Sequence, residues 1–298
     1  FYIGKYKISG GILAPMAGYT DIAFRELCKS YGAGLTVTEM VSVRGLVHCN
    51  KATSDLMRVA NSEKPSCIQL FGNDPADFAR AAEKLSCDII DVNMGCPMPK
   101  IVKNGDGAAL IKDPERAGAI VRALKNATDK PVTVKTRLGY ETGNDGAAQL
   151  IESVAKAGAA AVAVHGRYAE QRYTGKCDLN KLKALAHGCS IPFIANGDIA
   201  DITVEPPFSA VMIGRAALAN PAVFCGGRVD PFELARRHVA LLLEYFDERY
   251  TVNQCRKFFV HYFKGVRGGK QLRDAVNRAE NASDVRFALD KAQSGVYN

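Results

Sequence analysis

Apolar residues in the first two thirds of the chain fall into two alternating rhythms. Short runs rich in Val, Ile, Leu and Ala predict strands at Ile12–Met16, Leu35–Thr38, Ser66–Leu70, Ile89–Asn93, Val132–Arg137, Ala161–His165, Phe193–Asn196 and Ala210–Ile213. Longer helical patterns lie between most of them, at Asp21–Ser30, Pro75–Leu85, Asp113–Asn126, Asp145–Ala157 and Leu179–Ala186. Asp113-Pro114-Glu115 is a start signal of the usual kind, a capping side chain followed by proline at the first helical position.

Eight strands in strand–helix order predict a parallel sheet, because parallel neighbours need a crossover between them. A closed (β/α)8 TIM barrel is the simplest way to arrange eight such units. A doubly wound open sheet is the alternative; Gly-x-Gly-x-x-Gly after the first strand would favour it, and that motif is absent. Glycine and polar residues follow successive strands: Ala17-Gly18, Gly72-Asn73, Gly95-Cys96, Gly139, Gly166, Gly197-Asp198 and Gly214-Arg215. In a barrel these positions share one rim, where such folds keep their chemistry. Beyond Pro221 the rhythm becomes purely helical. Pro231–Tyr250 reads as one long helix and Val252–Gly265 as a second; Leu272–Ala279 and Ser283–Ala292 follow the break at Gly268-Gly269. The expected division is a barrel over residues 1–228 and a small C-terminal helical bundle over 229–298.

Composition narrows the function classes. With 298 residues, 47% apolar and 23% charged, the chain can bury a full core. Its longest apolar stretch, around Ala159–Val164, falls far short of the roughly 18 residues of a membrane span. No charged segment followed by an apolar one opens the chain, so neither a signal peptide nor a membrane role is expected. Nine cysteines, at 28, 49, 67, 87, 96, 177, 189, 225 and 255, show no Cys-x-x-Cys spacing. That usage suits a reducing cytoplasmic setting and argues against a metal site or a disulfide framework; most should be buried, inert thiols. A net charge of +8 leans weakly toward a polyanionic partner. The lean is local: between Gln254 and Arg278 seven cations face the single acid Asp274.

Several blocks carry a resemblance. Asp91-Val92-Asn93-Met94-Gly95-Cys96-Pro97, followed by Gly107-Ala108-Ala109-Leu110, resembles the active-site signature of the tRNA-dihydrouridine synthases. Ala14-Pro15-Met16-Ala17-Gly18-Tyr19-Thr20-Asp21 resembles that family's first strand and loop, and Gln69-Leu70-Phe71-Gly72 its third. Val134-Lys135-Thr136-Arg137-Leu138-Gly139 resembles its fifth, and His165-Gly166-Arg167 with Gln171, Tyr173 and Gly175 its sixth. Asn196-Gly197-Asp198-Ile199 and Gly214-Arg215-Ala216-Ala217 resemble its phosphate-binding end. The match spans roughly residues 10 to 225, with detail most similar to the bacterial B-type branch. One departure stands out. Where the family carries a full helix after the seventh strand, this chain has only Ala200 to Ala210 with Pro206-Pro207 inside, so that helix should be very short or missing.

The resemblance implies a TIM-barrel enzyme that uses FMN, with NADPH as reductant, to reduce the C5=C6 bond of uridines in the tRNA D-loop. Hydride chemistry lies outside the reach of protein side chains, so a cofactor must supply it. The accompanying proton needs a positioned acid, and the resemblance assigns that role to Cys96. A thiol with an ordinary pKa near 8.5 is mostly protonated at neutral pH and can donate. By the same resemblance Lys135 faces the anionic edge of the reduced flavin. Gln69 bonds the flavin's polar edge, and Pro15, Met16 and Ala17 pack beside the ring. His165 lies by the ring or its ribityl chain. Asn196, Gly197, Asp198, Gly214 and Arg215 hold the phosphate, Asn93 meets the uracil edge and Arg167 touches the substrate nucleotide. In the tail, Arg256, Lys264, Arg267, Lys270 and Arg273 are the expected RNA contacts of a monomer. Two other readings stay open: a free-pyrimidine flavoenzyme related to dihydroorotate dehydrogenase, and a tRNA-binding protein whose flavin site has decayed.

Overall fold

The computed structural model describes residues 1–48 and 51–295; Cys49 lies outside them. Parallel strands at Ile12–Leu13, Leu35–Thr36, Cys67–Phe71, Ile89–Asn93, Val132–Arg137, Ala161–His165, Phe193–Asn196 and Ala210–Ile213 pair in chain order. The eighth returns to the first through Met212 opposite Ile12, and Val37 bridges Cys67 to join the second strand to the third. The ring is therefore closed and the TIM barrel is complete, which removes the open-sheet alternative. The second strand is interrupted: after Thr36 it resumes at Val41–Ser42, still paired with the third.

Alternation along each strand explains both faces. Outward residues such as Ile68, Leu70, Ile90, Val92, Val132, Val134, Val162 and Val164 pack under the helices Pro75–Ala82, Pro114–Ala127, Ala147–Lys156 and Leu179–His187. Inward residues Ile12, Leu35, Cys67, Ile89, Ala161, Ile194 and Met212 fill the barrel. Each large aliphatic side chain buried in this way stabilises by about 1.5–3 kcal/mol. Toward the C-terminal strand ends the same inward rows turn polar, at Gln69, Asp91, Asn93, Thr133, Lys135, Arg137, His165 and Asn196. The opposite end is stopped by a hairpin that the sequence pattern did not predict, Tyr2–Ile3 against Tyr6–Lys7, which adds Ile3 and Ile8 to the interior cluster. The short helices Val43–Val47 and Lys51–Leu56 were likewise not expected.

Among the described residues no helix lies between strands seven and eight, as the shortened segment predicted. The ring holds regardless, with Ile194, Ala195 and Asn196 opposite Ala210, Val211 and Met212. Phe208 stacks on Phe193 at 6.0 Å between ring centres and takes over part of the missing cover.

The tail departs from expectation at one point. The predicted helix 231–250 is two helices, Pro231–Tyr245 and Glu248–Tyr262. Phe246 is extended, and the Asp247 carboxylate accepts the Tyr250 amide at 2.7 Å, a capping contact that starts a new helix within an unbroken apolar rhythm. Helices Gly269–Arg278 and Ala282–Gln293 complete the bundle. Its core is continuous with the barrel flank: Phe24, Leu27, Ile213 and Leu218 belong to the same buried cluster as Leu242, Phe258, Phe259 and Leu272. No helix among the described residues is long and apolar enough to cross a membrane.

Candidate active site

The polar inward rows join into a chain of hydrogen bonds across three strands. Asp91 accepts the Thr133 hydroxyl at 2.6 Å and the Gln69 amide at 2.7 Å. Gln69 Oε1 then accepts Asn93 Nδ2 at 3.0 Å, and Asn93 Oδ1 accepts the backbone N–H groups of Gly95 and Cys96 at 3.2 and 2.9 Å. Register makes this possible, since Gln69 stands opposite Asp91, and Asn93 opposite Lys135. Each amide is oriented by its neighbours, because the Asp91 carboxylate can only accept when ionised. Burial raises the Asp91 pKa above the ordinary carboxylate value, against the bonds from Thr133 and Gln69 and the charge of Lys135.

The loop bearing Cys96 is fastened from a second side. Met94 donates its N–H to Lys135 O at 2.7 Å, Thr136 Oγ1 donates to Met94 O at 3.0 Å, and Arg137 Nε donates to Gly95 O at 2.9 Å. Ala108 closes the loop onto Cys96 O at 3.0 Å. Gly107 must remain glycine there: its φ is +60° and a Cβ would stand 2.7 Å from Cys96 O. Cys96 is half-buried. Burial raises its thiol pKa, and the charges of Arg137 and Lys135 only partly offset that, so the sulfur holds its proton at neutral pH. A cavity of about 450 Å³ beside this loop is lined by Pro97, Pro99, Val102, Tyr140, Glu170 and Arg172 among others, not by the inward polar residues.

Lys135 is half-buried, and its ammonium has no hydrogen-bond or ion-pair partner among the described residues. Burial, helped by Arg137, lowers its pKa to about 8. His165 is buried close by. Burial and the charges of Lys135, Arg137, Arg167 and Arg215 press its pKa far below the ordinary value, so the ring is neutral. Arg167 Nη1 meets His165 Nε2 at 3.3 Å. Arginine can only donate, so that nitrogen accepts and Nδ1 carries the proton.

The sixth, seventh and eighth strand ends form a second cluster. Arg167 donates to Thr174 O at 3.1 Å, Gly175 O at 2.8 Å and Asp198 Oδ2 at 2.6 Å. Asp198 also accepts Cys177 N at 3.0 Å and Arg215 Nη2 at 2.8 Å, and the bond from Arg167, with the charges of both arginines, lowers its pKa. Asn196 Nδ2 donates to Met212 O at 2.7 Å and ties strand seven to strand eight. Gly197 has φ +116°, and a Cβ there would collide with His165 Cδ2 at 2.7 Å. Met16 is half-buried, and a Cβ on Gly214 would stand 3.6 Å from its sulfur; Pro15 and Ala17 flank it in the same loop.

The structure thus gathers Gln69, Asn93, Cys96, Lys135, His165, Asn196, Gly197, Asp198, Gly214 and Arg215 along one rim. It gives Arg167 a different occupation from nucleotide contact: the side chain is only 2% exposed and its guanidinium bonds protein groups. Two expected RNA contacts are similarly engaged. Arg256 donates to Ala279 O at 2.8 Å and Arg273 to Phe263 O at 3.0 Å, each holding a helix end. Lys264, Arg267 and Lys270 are exposed around the turn between those helices. Of the eight described cysteines, all free, four are buried, three half-buried and Cys225 exposed, fewer buried than expected.

Sequence reasoning gave no role to Asp91 or Arg137, and it counted Lys257 only among the cations of the tail. Asp91 and Arg137 were findable, since each lies two positions from a chosen residue, Asn93 and Lys135, on the same inward row. Arg137 also approaches the exposed Tyr173, 5.9 Å from its ring centre, with Arg215 at 5.6 Å.

A closed eight-stranded barrel with a half-buried thiol, an ammonium unpartnered among the described residues and an arginine-rich cluster on its C-terminal rim defines a (β/α)8 enzyme. The chain belongs to the dihydrouridine synthase family, whose model matches residues 12–296. It is 31% identical to a probable tRNA-dihydrouridine synthase of Aquifex aeolicus, over 97% of this chain and 98% of that one. It is 33% identical to tRNA-dihydrouridine synthase B of Proteus vulgaris, over 97% of each. It is 35% identical to a probable tRNA-dihydrouridine synthase of Rhizobium leguminosarum bv. phaseoli, over 85% of this chain and 84% of the other. Among solved structures, a point mutant of FabK from Thermotoga maritima aligns at 18% identity with a TM-score of 0.45, over 72% of this chain and 63% of its own.

Proposed function

We propose that this enzyme is an FMN-dependent tRNA-dihydrouridine synthase that reduces the C5=C6 bond of uridines in the tRNA D-loop, with NADPH as reductant and Cys96 as proton donor to C5. The observation that carries the reading is the hydrogen-bond chain from Asp91 through Gln69 and Asn93 to the Cys96 backbone. It holds the Cys96 backbone at the rim, near an ammonium that has no partner among the described residues, and burial keeps the thiol protonated.

The residues present fit FMN. The free ammonium of Lys135 suits the anionic edge of a reduced flavin, and a lone cation in a partly dry site stabilises such charge strongly. Gly214 has no side chain, and Met16 and Ala14 beside it would lie 3.6 and 3.7 Å from an added Cβ, so its main chain suits a close approach by a phosphate. Asp198 and Tyr173 aim the exposed Arg215 beside it. Met16, in the first loop, lies beside Gly214. When bound, FMN supplies the hydride for C6. Asn93 keeps the Cys96 loop in place, and the thiol holds its proton until the C5 position accepts it. Neutral His165, with its proton on Nδ1, acts in binding and not as the acid. Arg167 has a positioning role, fastening His165, the 174–175 loop and Asp198 together.

In this reading residues 1–228 carry the chemistry and 229–298 engage tRNA. Extruding a stacked base costs a few kcal/mol, which phosphate contacts elsewhere must offset. Lys264, Arg267 and Lys270, exposed around one turn, are tail cations free to make them. The deciding experiment is Cys96→Ala. The variant should still purify with flavin absorbance yet form no dihydrouridine in tRNA; undiminished dihydrouridine formation would refute the assignment of the acid.

A further inference from the structure

The loop after the first strand, which holds the flavin candidates Pro15 to Ala17, is gripped from the helical tail. Tyr250, Lys257, Phe258 and His261 share one side of helix Glu248–Tyr262. Tyr250 OH donates to Asp21 Oδ2 at 3.2 Å. The Tyr19 ring meets Phe258 and His261 edge-on at 5.6 and 5.8 Å between centres. Lys257 Nζ lies 4.7 Å from the centre of the Tyr19 ring and donates to the carbonyl of Gly18. On the other side of that glycine, its N–H donates to Glu39 Oε2 at 2.5 Å.

Gly18 has φ +77° and no side chain to lock it, so its backbone orientation depends on what its polar groups meet. Packing beneath the loop is not solid: a cavity of about 400 Å³, lined by Thr20, Asp21, Glu39, Tyr245, Phe246 and Tyr250 among others, lies there. Two charges, one from the barrel and one from the tail, therefore bracket Gly18, two residues from Met16. Met16 in turn lies beside Gly214, where the phosphate is proposed to approach.

We propose that Lys257 is a positioning residue through which the tail helix sets the flavin-binding loop, so that the C-terminal bundle helps hold the cofactor as well as RNA. The inference rests on the FMN reading above. It assigns the tail a part that persists when no RNA is bound.

The test is FMN affinity of the full chain without RNA, followed by quenching of flavin fluorescence. Loss of a charge-assisted hydrogen bond to the loop should weaken FMN binding by Lys257→Met about tenfold. Lys257→Arg, which keeps a donor and the charge, should restore most of the affinity. Glu39→Ala, acting on the other side of Gly18, should weaken it as well and carries the test if Lys257→Met fails to fold by circular dichroism. Wild-type FMN affinity in both Lys257→Met and Glu39→Ala overturns the inference, above all if Lys257→Met has lost only tRNA affinity, which would make Lys257 a phosphate contact. A wild-type chain that binds no FMN at all would sink the cofactor reading itself, and this inference with it.

Discussion

Gln69→Glu tests the polar chain under Cys96 with one nearly isosteric change. Gln69 is 1% exposed and Asp91 3% exposed. The substitution leaves the acceptor facing Asn93 intact but replaces the donor to Asp91, setting two carboxylate oxygens about where Nε2 and Oδ2 now lie 2.7 Å apart. Two carboxylates that close cannot both ionise, so the pair must hold one proton. Rotating the new side chain gives no escape, since both its oxygens are alike. The folded variant therefore keeps a proton that the unfolded chain, with an ordinary Glu near pH 4.3, has released at neutral pH. Its folded pKa is raised, so the pair is stable below the unfolded pKa and that stability is lost as pH rises toward the folded pKa. The loss relative to wild type is about 1.4 kcal/mol for each pH unit, or about 4 kcal/mol between pH 5 and pH 8 if the proton is held throughout. For a chain of this size that is a gap in Tm widening by about 2–3 °C per unit. Thermal unfolding followed by circular dichroism from pH 5 to 8, read as variant minus wild type, measures it directly. Adding Asp91→Asn supplies a new donor from the other side and should remove the pH dependence. A gap that stays constant across the range would show that Gln69 and Asp91 are not bonded in this way.

Three further outcomes follow from charges at the rim and in the tail. Lys135 has a folded pKa lowered to about 8 from 10.5, so its charged form costs the apo fold stability. That cost is full below about pH 8 and shrinks as pH rises from there toward 10.5. Lys135→Met should consequently stabilise the apo fold at pH 7 by an amount on the order of 1–3 kcal/mol, read as a higher Tm, while weakening FMN binding; an unchanged or lower Tm refutes the reasoning. Replacing Lys264, Arg267 and Lys270 together by Ala should weaken tRNA binding and lower its log–log salt slope by about 2–3, measured by filter binding at several salt concentrations. Arg256→Ala should leave that slope nearly unchanged and lower Tm instead, because its guanidinium serves the carbonyls of Val276 and Ala279.

The barrel was legible because its strands are buried on both faces and bounded by glycine and polar residues; strands four to eight begin and end where the pattern placed them. The second strand was not, because its break at Thr38 to Met40 is set by how Thr38 bonds the third strand, its N–H to Cys67 O and its hydroxyl accepting Gln69 N. The break in the predicted helix 231–250 was hidden for the opposite reason. Apolar spacing continues through Phe246, and only the Asp247 cap marks the new start. At the site, residue types were readable where they stand in a motif, as with Asn93 and Cys96. What each side chain does was less so. Arg167, Arg256 and Arg273 look like surface ligands in a string of letters, yet each is consumed by carbonyls or a carboxylate that only the folded chain brings to it. Lys257 gave no local sign of its contact, since Gly18 lies 239 residues away.

The missing helix between strands seven and eight changes what anchors this corner of the enzyme. Elsewhere on the ring a strand end is backed by the helix that follows it, a broad apolar buttress. Here Asp198 is moored by two guanidiniums and one amide, a fastening that needs few residues and sets direction as well as place. Such a joint is fine-grained but brittle: it leaves the exposed stretch 203–206 of the return segment loosely constrained, and tolerates almost no change at the three side chains that tie the knot.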